Sequence, residues 1–429
     1  MPGPISSSAL SPDQLDALAA ELTQAATRLR QKNNSNGTKK ENLGTASIVA
    51  NAGIAALRSL MTPKDRFLDL MLIPAAMGVL RVFLHWGALE RIPRDCVTPI
   101  SYAKLAEQLG AEVGLLRRLA WTLVAAGFLK QVGTDQVVNT PNSVVLIDNP
   151  TLKGVLDVVS HQVSAAMVFP KYFERYGRIE PTQQRGSPWT FSRGQPDKTI
   201  WEIMQEDPDE VEGFAKSMRV SSRFYPMPGP YDFSWIVDHP IEDKSRPLLV
   251  DVGGSDGEVL LSILRNTPSL PPERCVLQDL PHVLAMTRQE EEIKALKKVP
   301  IDFFKEEPVK GEFSGILTDV KPRLTLSPGA LVYHIRRTLH DYADADALNI
   351  LRLIAKAMAP DSRLLIVELI MTNPPTPFAA AVDLFMCITA GKERTIEMFE
   401  RLTADAGLRI TRVVPGKTSE MGVLECMKV

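Results

Sequence analysis

Leu248-Leu249-Val250-Asp251-Val252-Gly253-Gly254-Ser255-Asp256-Gly257-Glu258-Val259-Leu260 is the stretch that decides the fold. The apolar run predicts a buried parallel strand, the glycines predict a tight turn, and the apolar pattern after the turn predicts a helix. Glycine lets the backbone approach a ligand closely because it has no Cβ. The carboxylates at 251 and 256 favour a cationic ligand over a diphosphate, since like charges repel. We therefore expect a cofactor loop made by Asp251, Gly253, Gly254 and Gly257.

Two further strand ends carry residues suited to the same ligand. Residues 274–279 predict a strand ending in Asp279, where dinucleotide-type folds place the carboxylate that bonds ribose hydroxyls. The alternative is that Asp279 caps the helix after Leu280-Pro281. Residues 299–304 predict a third strand end, whose acid and aromatic residues suit the edge and face of adenine. Together the three ends resemble the S-adenosylmethionine (SAM) site of a class I methyltransferase fold, and the predicted cofactor residues here are Asp279, Leu280, Asp302 and Phe303.

Composition limits the broad class of protein. The chain has 429 residues, enough for two or three domains, with 45% hydrophobic and 23% charged residues, as in ordinary globular proteins. A formal net charge of -2 gives no electrostatic reason to expect binding to nucleic acid or to an acidic membrane. The four cysteines lack metal-ligand spacing, so we expect reduced thiols, no metal site and a cytoplasmic location. We also expect no secretory signal and no membrane span.

Four segments follow one another along the chain. Residues 1–60 combine a helix-start pattern with a polar linker, and we interpret them as a helical arm. Residues 61–150 start with a broadly apolar helix and continue as helix, turn, helix and hairpin. Residues 151–245 are helical and rich in aromatic residues and proline, which suits a cap over a substrate. Residues 246–429 form the α/β domain.

The helix–turn–helix and hairpin between residues 101 and 139 predict a winged helix, a shape that binds DNA in many proteins. The second of these helices carries only one basic pair, Arg117 and Arg118, which is a small footprint for phosphates. We therefore interpret residues 61–150 as a structural or dimer-forming domain. A DNA-binding protein that uses SAM as an effector is a third possibility, and the lack of a basic face ranks it last.

Polar residues also follow two strands in the last third of the chain. Residues 330–335 predict a strand that leads into Arg336-Arg337-Thr338-Leu339-His340-Asp341, and the strand at 363–367 leads into Glu368. Glu393 lies further on, in Gly391-Lys392-Glu393-Arg394-Thr395. Ligands of open α/β sheets bind at the carboxyl ends of the strands. These residues are therefore candidates for the chemistry.

From about residue 67 to its end the chain resembles the plant- and fungus-type small-molecule O-methyltransferases. The resemblance rests on four motifs, at 250–254, 339–341, 366–368 and 391–395. It implies an α/β, class I SAM-methyltransferase Rossmann-like domain, preceded by an N-terminal all-α/winged-helix domain that forms a homodimer. It also implies that His340 is the general base for a substrate hydroxyl and that Glu368 and Glu393 orient it. An imidazole oriented by carboxylates suits that task.

One branch of this family is similar to the chain in further features: the fungal SAM-binding pericyclases of pyridone alkaloid pathways, of the leporin type. Such proteins keep SAM without transferring its methyl group, dehydrate an alcohol to a quinone methide and direct its Alder-ene or (hetero-)Diels–Alder closure. The resemblance implies that His161 and the pair Arg336-Arg337 donate hydrogen bonds to substrate carbonyl oxygens, which stabilises developing charge. It also implies that Asp232 and Val413 shape the pocket wall.

Alternatives remain for these residues and for the function. His161 lies in a mostly apolar predicted helix, where a core histidine bonded to a neighbouring carbonyl is the alternative, but the surrounding aromatic-rich segment favours a pocket residue. Arg337 is compatible with a solvated arginine or a partner of the cofactor carboxylate. The intact set of His340, Glu368 and Glu393 favours O-methyl transfer to a phenolic or hydroxylated metabolite. His161, the basic pair, the N-terminal arm and Ser255 in the loop favour the pericyclase acting on a polyketide or pyridone, which is our first hypothesis.

Overall fold

A computed structural model describes residues 61–207, 210, 211, 213, 214, 231–285, 287, 290–302, 304, 329–416 and 420–429, with isolated helical positions at 13, 16, 19, 20, 23 and 27. Most of the predicted arm, the expected insertion at 313–326 and Phe303 lie outside the described residues. The chain forms two compact units. One ends at Ser160 and also includes Gly213, and the other begins at His161 and contains the C-terminal sheet. The four-segment division by role stays a prediction.

The first unit contains a short antiparallel sheet among helices. Its elements are α1 (Pro63–His85), α2 (Ala88–Arg91), β1 (Ile100–Ser101), α3 (Tyr102–Leu109), α4 (Val113–Ala125), β2 (Leu129–Val132), β3 (Gln136–Asn139), α5 (Pro141–Asp148) and the first part of α6 (Pro150–Met167). The strands lie in the order β1-β3-β2. Two helices followed by a hairpin therefore occur at 101–139 as the pattern predicts, whereas a role in dimerisation stays a prediction.

Helix α1 begins where its sequence predicts. The Thr62 side chain accepts a hydrogen bond from the backbone N–H of Asp65, and the Asp65 carboxylate accepts one from Thr62 N, which together cap the helix. By length and composition α1 is apolar enough to cross a membrane, but Leu80, Phe83 and Leu84 pack into the core of the first unit. Its first half exposes five apolar side chains: Phe67, Leu68, Leu70, Met71 and Ile73.

The second unit starts with helices and continues as an α/β sheet. After α6 come α7 (Phe169–Tyr176), α8 (Pro188–Ser192), α9 (Ile200–Met204) and α10 (Trp235–Asp238). The sheet region contains β4 (Leu249–Val252), α11 (Glu258–Asn266), β5 (Cys275–Asp279), α12 (Pro281–Leu284), α13 (Glu291–Lys294), β6 (Lys297–Pro300), β7 (Val332–Arg336), α14 (Asp344–Ala357), β8 (Arg363–Met371), α15 (Pro377–Ile388), β9 (Arg394–Thr395), α16 (Ile396–Asp405), β10 (Leu408–Pro415) and β11 (Met421–Lys428). Two 3₁₀ turns, Pro272–Arg274 and Leu339–Asp341, complete it.

The strand order of the large sheet is β10-β11-β8-β7-β4-β5-β6, with β9 paired to β8. Strands β4 to β8 run parallel, and β11 pairs antiparallel with both β8 and β10. Helices α11 and α13 contribute to the core on one face, and α14 and α16 to the core on the other. Because both faces are covered, β4 reads as an unbroken buried run. This is the class I methyltransferase topology that the sequence predicts.

Strand β4 lies at the centre of the parallel part, between β5 and β7. In its register Asp251 is opposite Leu277 of β5 and His334 of β7. The carboxyl ends of these strands therefore meet at one edge of the sheet, where ligands of such folds bind. Cys275 on β5 and Cys426 on β11 are both buried, as expected of core residues.

Candidate active site

The glycine-rich turn after β4 forms a tightly packed loop. Gly253 and Gly257 have positive φ angles of 71° and 86°, a conformation that glycine adopts without strain. A Cβ on Gly254 would lie 2.5 Å from Leu277 Cδ1 and 2.6 Å from Asp251 Oδ2, so only glycine fits there. The loop ends at Gly257, the N-cap of α11. The side chains of Asp251 and Leu277 thus pack directly against the backbone of the loop.

Asp279, at the end of β5, supports this loop from the next strand. Its Oδ2 accepts a hydrogen bond of 2.8 Å from the Ser255 N–H, and its Oδ1 accepts one of 2.7 Å from the Leu280 N–H. Burial raises the pKa of Asp279. The alternative of a helix cap does not describe this residue, because the N-cap of α12 is Leu280. Leu280 is 43% exposed at the same edge.

The third strand end is described in part. Asp302 follows β6 and accepts a hydrogen bond of 3.2 Å from the Phe304 N–H. The Phe304 ring makes an edge-to-face contact with Tyr342, with the ring centroids 5.0 Å apart. Phe303, the residue expected to face adenine, lies outside the described residues. An aromatic pair is therefore present at this edge in addition to the predicted acid.

A buried pair that the sequence analysis missed lies under the loop. Asp251 Oδ1 and His334 Nδ1 are 2.8 Å apart, and both side chains are almost completely buried. Asp251 therefore supports the loop from below. The signal available in the sequence was a polar residue inside each of two apolar strands, 83 positions apart.

These residues fit SAM. A Cβ on Gly254 would clash with the side chains below the turn, and the carboxylates of Asp251 and Asp279 lie near the ends of the two strands beside it. Asp251 Oδ2 is buried without a hydrogen-bond partner in the described part of the chain. Negative charge of this kind complements a sulfonium and not a diphosphate. The residues expected to hold the cofactor are thus brought together, apart from Phe303.

His340 forms the centre of a second cluster, next to the end of β7. Its Nδ1 lies 2.7 Å from Glu393 Oε1 and 3.8 Å from Glu368 Oε2, and all three residues are buried. Glu368 Oε1 accepts hydrogen bonds of 3.0 Å from the N–H groups of Thr338 and Leu339, which fixes the turn that carries His340. The predicted triad is therefore assembled.

The charges in this cluster decide the protonation of His340. Burial opposes the charged imidazolium, but the carboxylates of Glu368, Asp341 and Glu393 outweigh it and raise the pKa of His340 to about 9. Burial also raises the pKa of Glu368. One ligand atom from each of His340, Glu368 and Glu393 lies within 4.8 Å of the others, close enough to hold a metal ion. The expectation of no metal stays a prediction.

The segment 391–395 approaches His340 through its backbone. A Cβ on Gly391 would lie 2.2 Å from the His340 carbonyl oxygen, and the Lys392 N–H donates a hydrogen bond of 2.8 Å to that oxygen. The fully buried Arg394 donates hydrogen bonds to the carbonyl oxygens of Leu339 and Tyr342. The motif thus fixes the turn at His340 as well as supplying Glu393.

Helix α15 supplies two residues that no sequence pattern marked. Asp383 Oδ1 accepts a hydrogen bond of 3.0 Å from the Glu393 N–H. Cys387 lies one helical turn further and lines a cavity of about 550 Å³, together with Phe173, Arg178, Ile179, Glu180 and Pro181. Glu180 also forms an ion pair with Lys392, with 2.7 Å between Oε1 and Nζ. The cavity is therefore adjacent to the segment that holds His340.

Arg336 and Arg337 lie at the carboxyl end of β7, as predicted, and both are half-buried. Burial, with the charge of Arg337, lowers the pKa of Arg336 to about 10. Arg337 has a positive φ of 46°, and its N–H donates a hydrogen bond of 3.0 Å to the Val367 carbonyl. Both residues therefore lie at the edge of the sheet where ligands of such folds bind.

His161 has charged neighbours. Its Nδ1 lies 3.1 Å from Glu210 Oε1 and 3.2 Å from Arg193 Nη2. Arg193 also forms an ion pair with Glu210, and its guanidinium lies over the Trp189 ring, 4.6 Å from the centroid. These contacts give His161 charged side-chain neighbours, and its role as a substrate donor or as a core residue stays a prediction.

Asp232 and Val413 have local partners. Asp232 is exposed, and its Oδ1 accepts a hydrogen bond of 2.9 Å from the Ser234 N–H, which lowers its pKa. Val413 lies on β10 opposite Leu424 and packs against the core on the α14 and α16 face. Their role as a pocket wall stays a prediction.

Comparison with known proteins agrees with this geometry. The family model described as an O-methyltransferase domain matches residues 182–409. Methyltransferase fsa4 of Fusarium sp. (strain FN080326) is 34% identical over 355 residues, which cover 82% of this chain and 93% of the relative.

Two solved structures share the fold. OxaC in complex with SAH and oxaline has a TM-score of 0.78 at 22% identity, covering 96% of this chain and 98% of OxaC. A structure described as a pericyclic reaction enzyme has a TM-score of 0.76 at 20% identity, covering 97% of this chain and 100% of that one. The cofactor of this chain is SAM. With a matching family model and a 34% identical relative, the chain belongs to the O-methyltransferase domain family.

Proposed function

We propose that this protein is a SAM-dependent methyltransferase that acts on a hydroxyl group of a small molecule, with His340 as general base. The observation that supports the proposal is the hydrogen-bonded pair of His340 Nδ1 and Glu393 Oε1, 2.7 Å apart in a buried cluster. This choice reverses the order of the two hypotheses drawn from the sequence, because the complete base assembly has a direct use in methyl transfer.

The residues divide the chemistry between them. With its Nδ1–H directed at Glu393, neutral His340 has its lone pair on Nε2, which takes the proton from the acceptor hydroxyl. The Glu393 carboxylate then stabilises the imidazolium that forms, as its position beside Nδ1 allows. Glu368 fixes the backbone of the turn and adds negative charge. SAM, when bound, supplies the electrophilic methyl group and leaves as S-adenosylhomocysteine (SAH).

The cavity beside helix α15 is the proposed place for the non-reacting part of the acceptor. It is a shallow depression of about 550 Å³ that is open to solvent, so it would cover an acceptor on one side. Phe173, Ile179, Pro181 and Cys387 provide an apolar lining, and Asp383 on the same helix bonds to Glu393. An uncharged aromatic or polyketide-type acceptor suits such a lining.

The pericyclase is the second candidate. Arg336 and Arg337 at the sheet edge and His161 beside Glu210 and Arg193 are the observations that favour it, since cationic donors stabilise negative charge on a carbonyl oxygen. In this case SAM remains intact in the pocket while a pyridone-type alcohol loses water and closes.

Incubation with SAM and a panel of phenols and pyridone alcohols distinguishes the two. Methyl transfer yields one SAH for each product that is heavier by a methyl group, whereas the pericyclase yields a cyclised product and no SAH. For a methyltransferase His340→Ala lowers kcat/KM by about 100-fold or more, and His161→Ala has a smaller effect. The opposite ranking, with SAM unspent, would refute our proposal in favour of the pericyclase.

We also propose that the first unit forms a homodimer. Its support is the exposed apolar surface of α1, where Phe67, Leu70, Met71 and Ile73 are each at least 60% exposed. Apolar surface of this extent marks an interaction site more often than free solvent-exposed helix.

A further inference from the structure

Asp251 and His334 form a buried pair of ionisable side chains that the proposed chemistry does not use. The two residues face each other on the adjacent strands β4 and β7, with 2.8 Å between Asp251 Oδ1 and His334 Nδ1. The His334 ring is fully buried and packs edge-on against Phe233, with the ring centroids 6.2 Å apart.

The second oxygen of Asp251 points at the cofactor loop. Oδ2 lies 2.6 Å from the position that a Cβ would occupy on Gly254, and among the described residues it has no hydrogen-bond partner. A carboxylate buried in this way remains charged only if a donor compensates for lost water. His334 is such a donor, because its Nδ1–H bonds to Oδ1. Arg336 and Asp279 are charged neighbours of Asp251 at the same edge.

We propose that His334 is a positioning residue for the cofactor. Its hydrogen bond to Oδ1 holds the Asp251 carboxylate in place under Gly254, so that this acidic group lies beneath the cofactor loop, where it would complement the sulfonium of SAM. The sulfur of SAH is uncharged, so the Asp251 carboxylate does not attract it. His334 therefore sets the preference of the protein for SAM over SAH. The inference rests on SAM binding and is independent of the reaction that follows.

The test measures the dissociation constants of SAM and SAH by calorimetry, which requires no substrate. In His334→Phe a ring remains but the donor that holds the Asp251 carboxylate is lost, and Asp251→Asn removes the charge itself. Loss of a unit charge at about 10 Å, at an effective dielectric constant of about 20, weakens binding of a cation by roughly tenfold. We expect SAM affinity to fall about tenfold and SAH affinity to change less than threefold. His334→Asn, which keeps an N–H donor, should restore the ratio.

Tyr333→Phe is the matched control. This neighbour on β7 bonds to Ala330 N and Ala357 O, so its loss removes a buried hydroxyl without touching Asp251, and the SAM to SAH ratio should not change. Equal weakening of both ligands in His334→Phe, or no weakening of either, would overturn the proposal. If His334→Phe fails to fold, Asp251→Asn removes the same charge and is judged by the same criterion.

Discussion

We expect the variant Glu393→Gln to lower the pKa of His340, which is about 9 in the wild type. The substitution removes one of the three carboxylate charges that raise this pKa, and it replaces a charge-assisted hydrogen bond of 2.7 Å by a neutral one. Charge-assisted hydrogen bonds contribute about 1 kcal/mol more than neutral ones, which corresponds to roughly one pH unit. The pKa of His340 should therefore fall from about 9 to about 8.

The assay is NMR titration of the imidazole Cε1–Hε1 signals in ligand-free protein. The chain has six histidines, and the signal missing from His340→Asn identifies the one at 340. Glu397→Gln, an exposed glutamate four residues further on, is the control and should leave the pKa at about 9. A His340 that titrates near 6.5 in the wild type, or that is unaffected in Glu393→Gln, would refute the electrostatic account.

The same shift has consequences for rate and stability. Because only neutral His340 accepts a proton, kcat/KM should rise with pH up to about 9 in the wild type, and up to about 8 in Glu393→Gln with a plateau about tenfold lower. The pKa of His340 is higher in the folded chain than in the unfolded chain, so protonation of His340 stabilises the fold. This stabilisation is complete below about pH 6.5 and is lost as pH rises through 9. Glu393→Gln should therefore lower the free energy of unfolding by about 1 kcal/mol at pH 6, and the loss should disappear above pH 9.

Three further variants test other parts of the structure. Gly391→Ala places a Cβ against the His340 carbonyl oxygen, so denaturant unfolding should show a loss of about 2 kcal/mol or more, and methyl transfer should fall with it. Leu70→Asp should convert the dimer to a monomer, as measured by light scattering. Val97→Asp is the control, because Val97 is an apolar residue of similar exposure outside α1, and it should leave the dimer intact. A monomeric wild-type protein would contradict the dimer proposal. Tyr231→Phe removes the hydroxyl that bonds Glu425 and Trp235, so the free energy of unfolding should fall by about 1–3 kcal/mol with SAM affinity unchanged; a selective loss of SAM affinity would show that this network reaches the cofactor site.

The amino-acid sequence by itself determines the cofactor end of the sheet. An apolar strand, a turn that needs Gly253, Gly254 and Gly257, and an amphipathic helix are local requirements of the backbone, so they are visible in a short stretch. Caps such as Thr62 with Asp65 are predictable for the same reason, because both partners lie within one helical turn.

Only the tertiary structure decides which distant side chains meet. His340 and Glu393 are 53 positions apart and Asp251 and His334 are 83 apart, and each contact depends on how two separate elements are aligned. The resemblance implies that His161 donates to substrate, which stays a prediction, and only the structure shows its neighbours Glu210 and Arg193. A side chain's partners follow from strand register and loop path, which no local pattern contains.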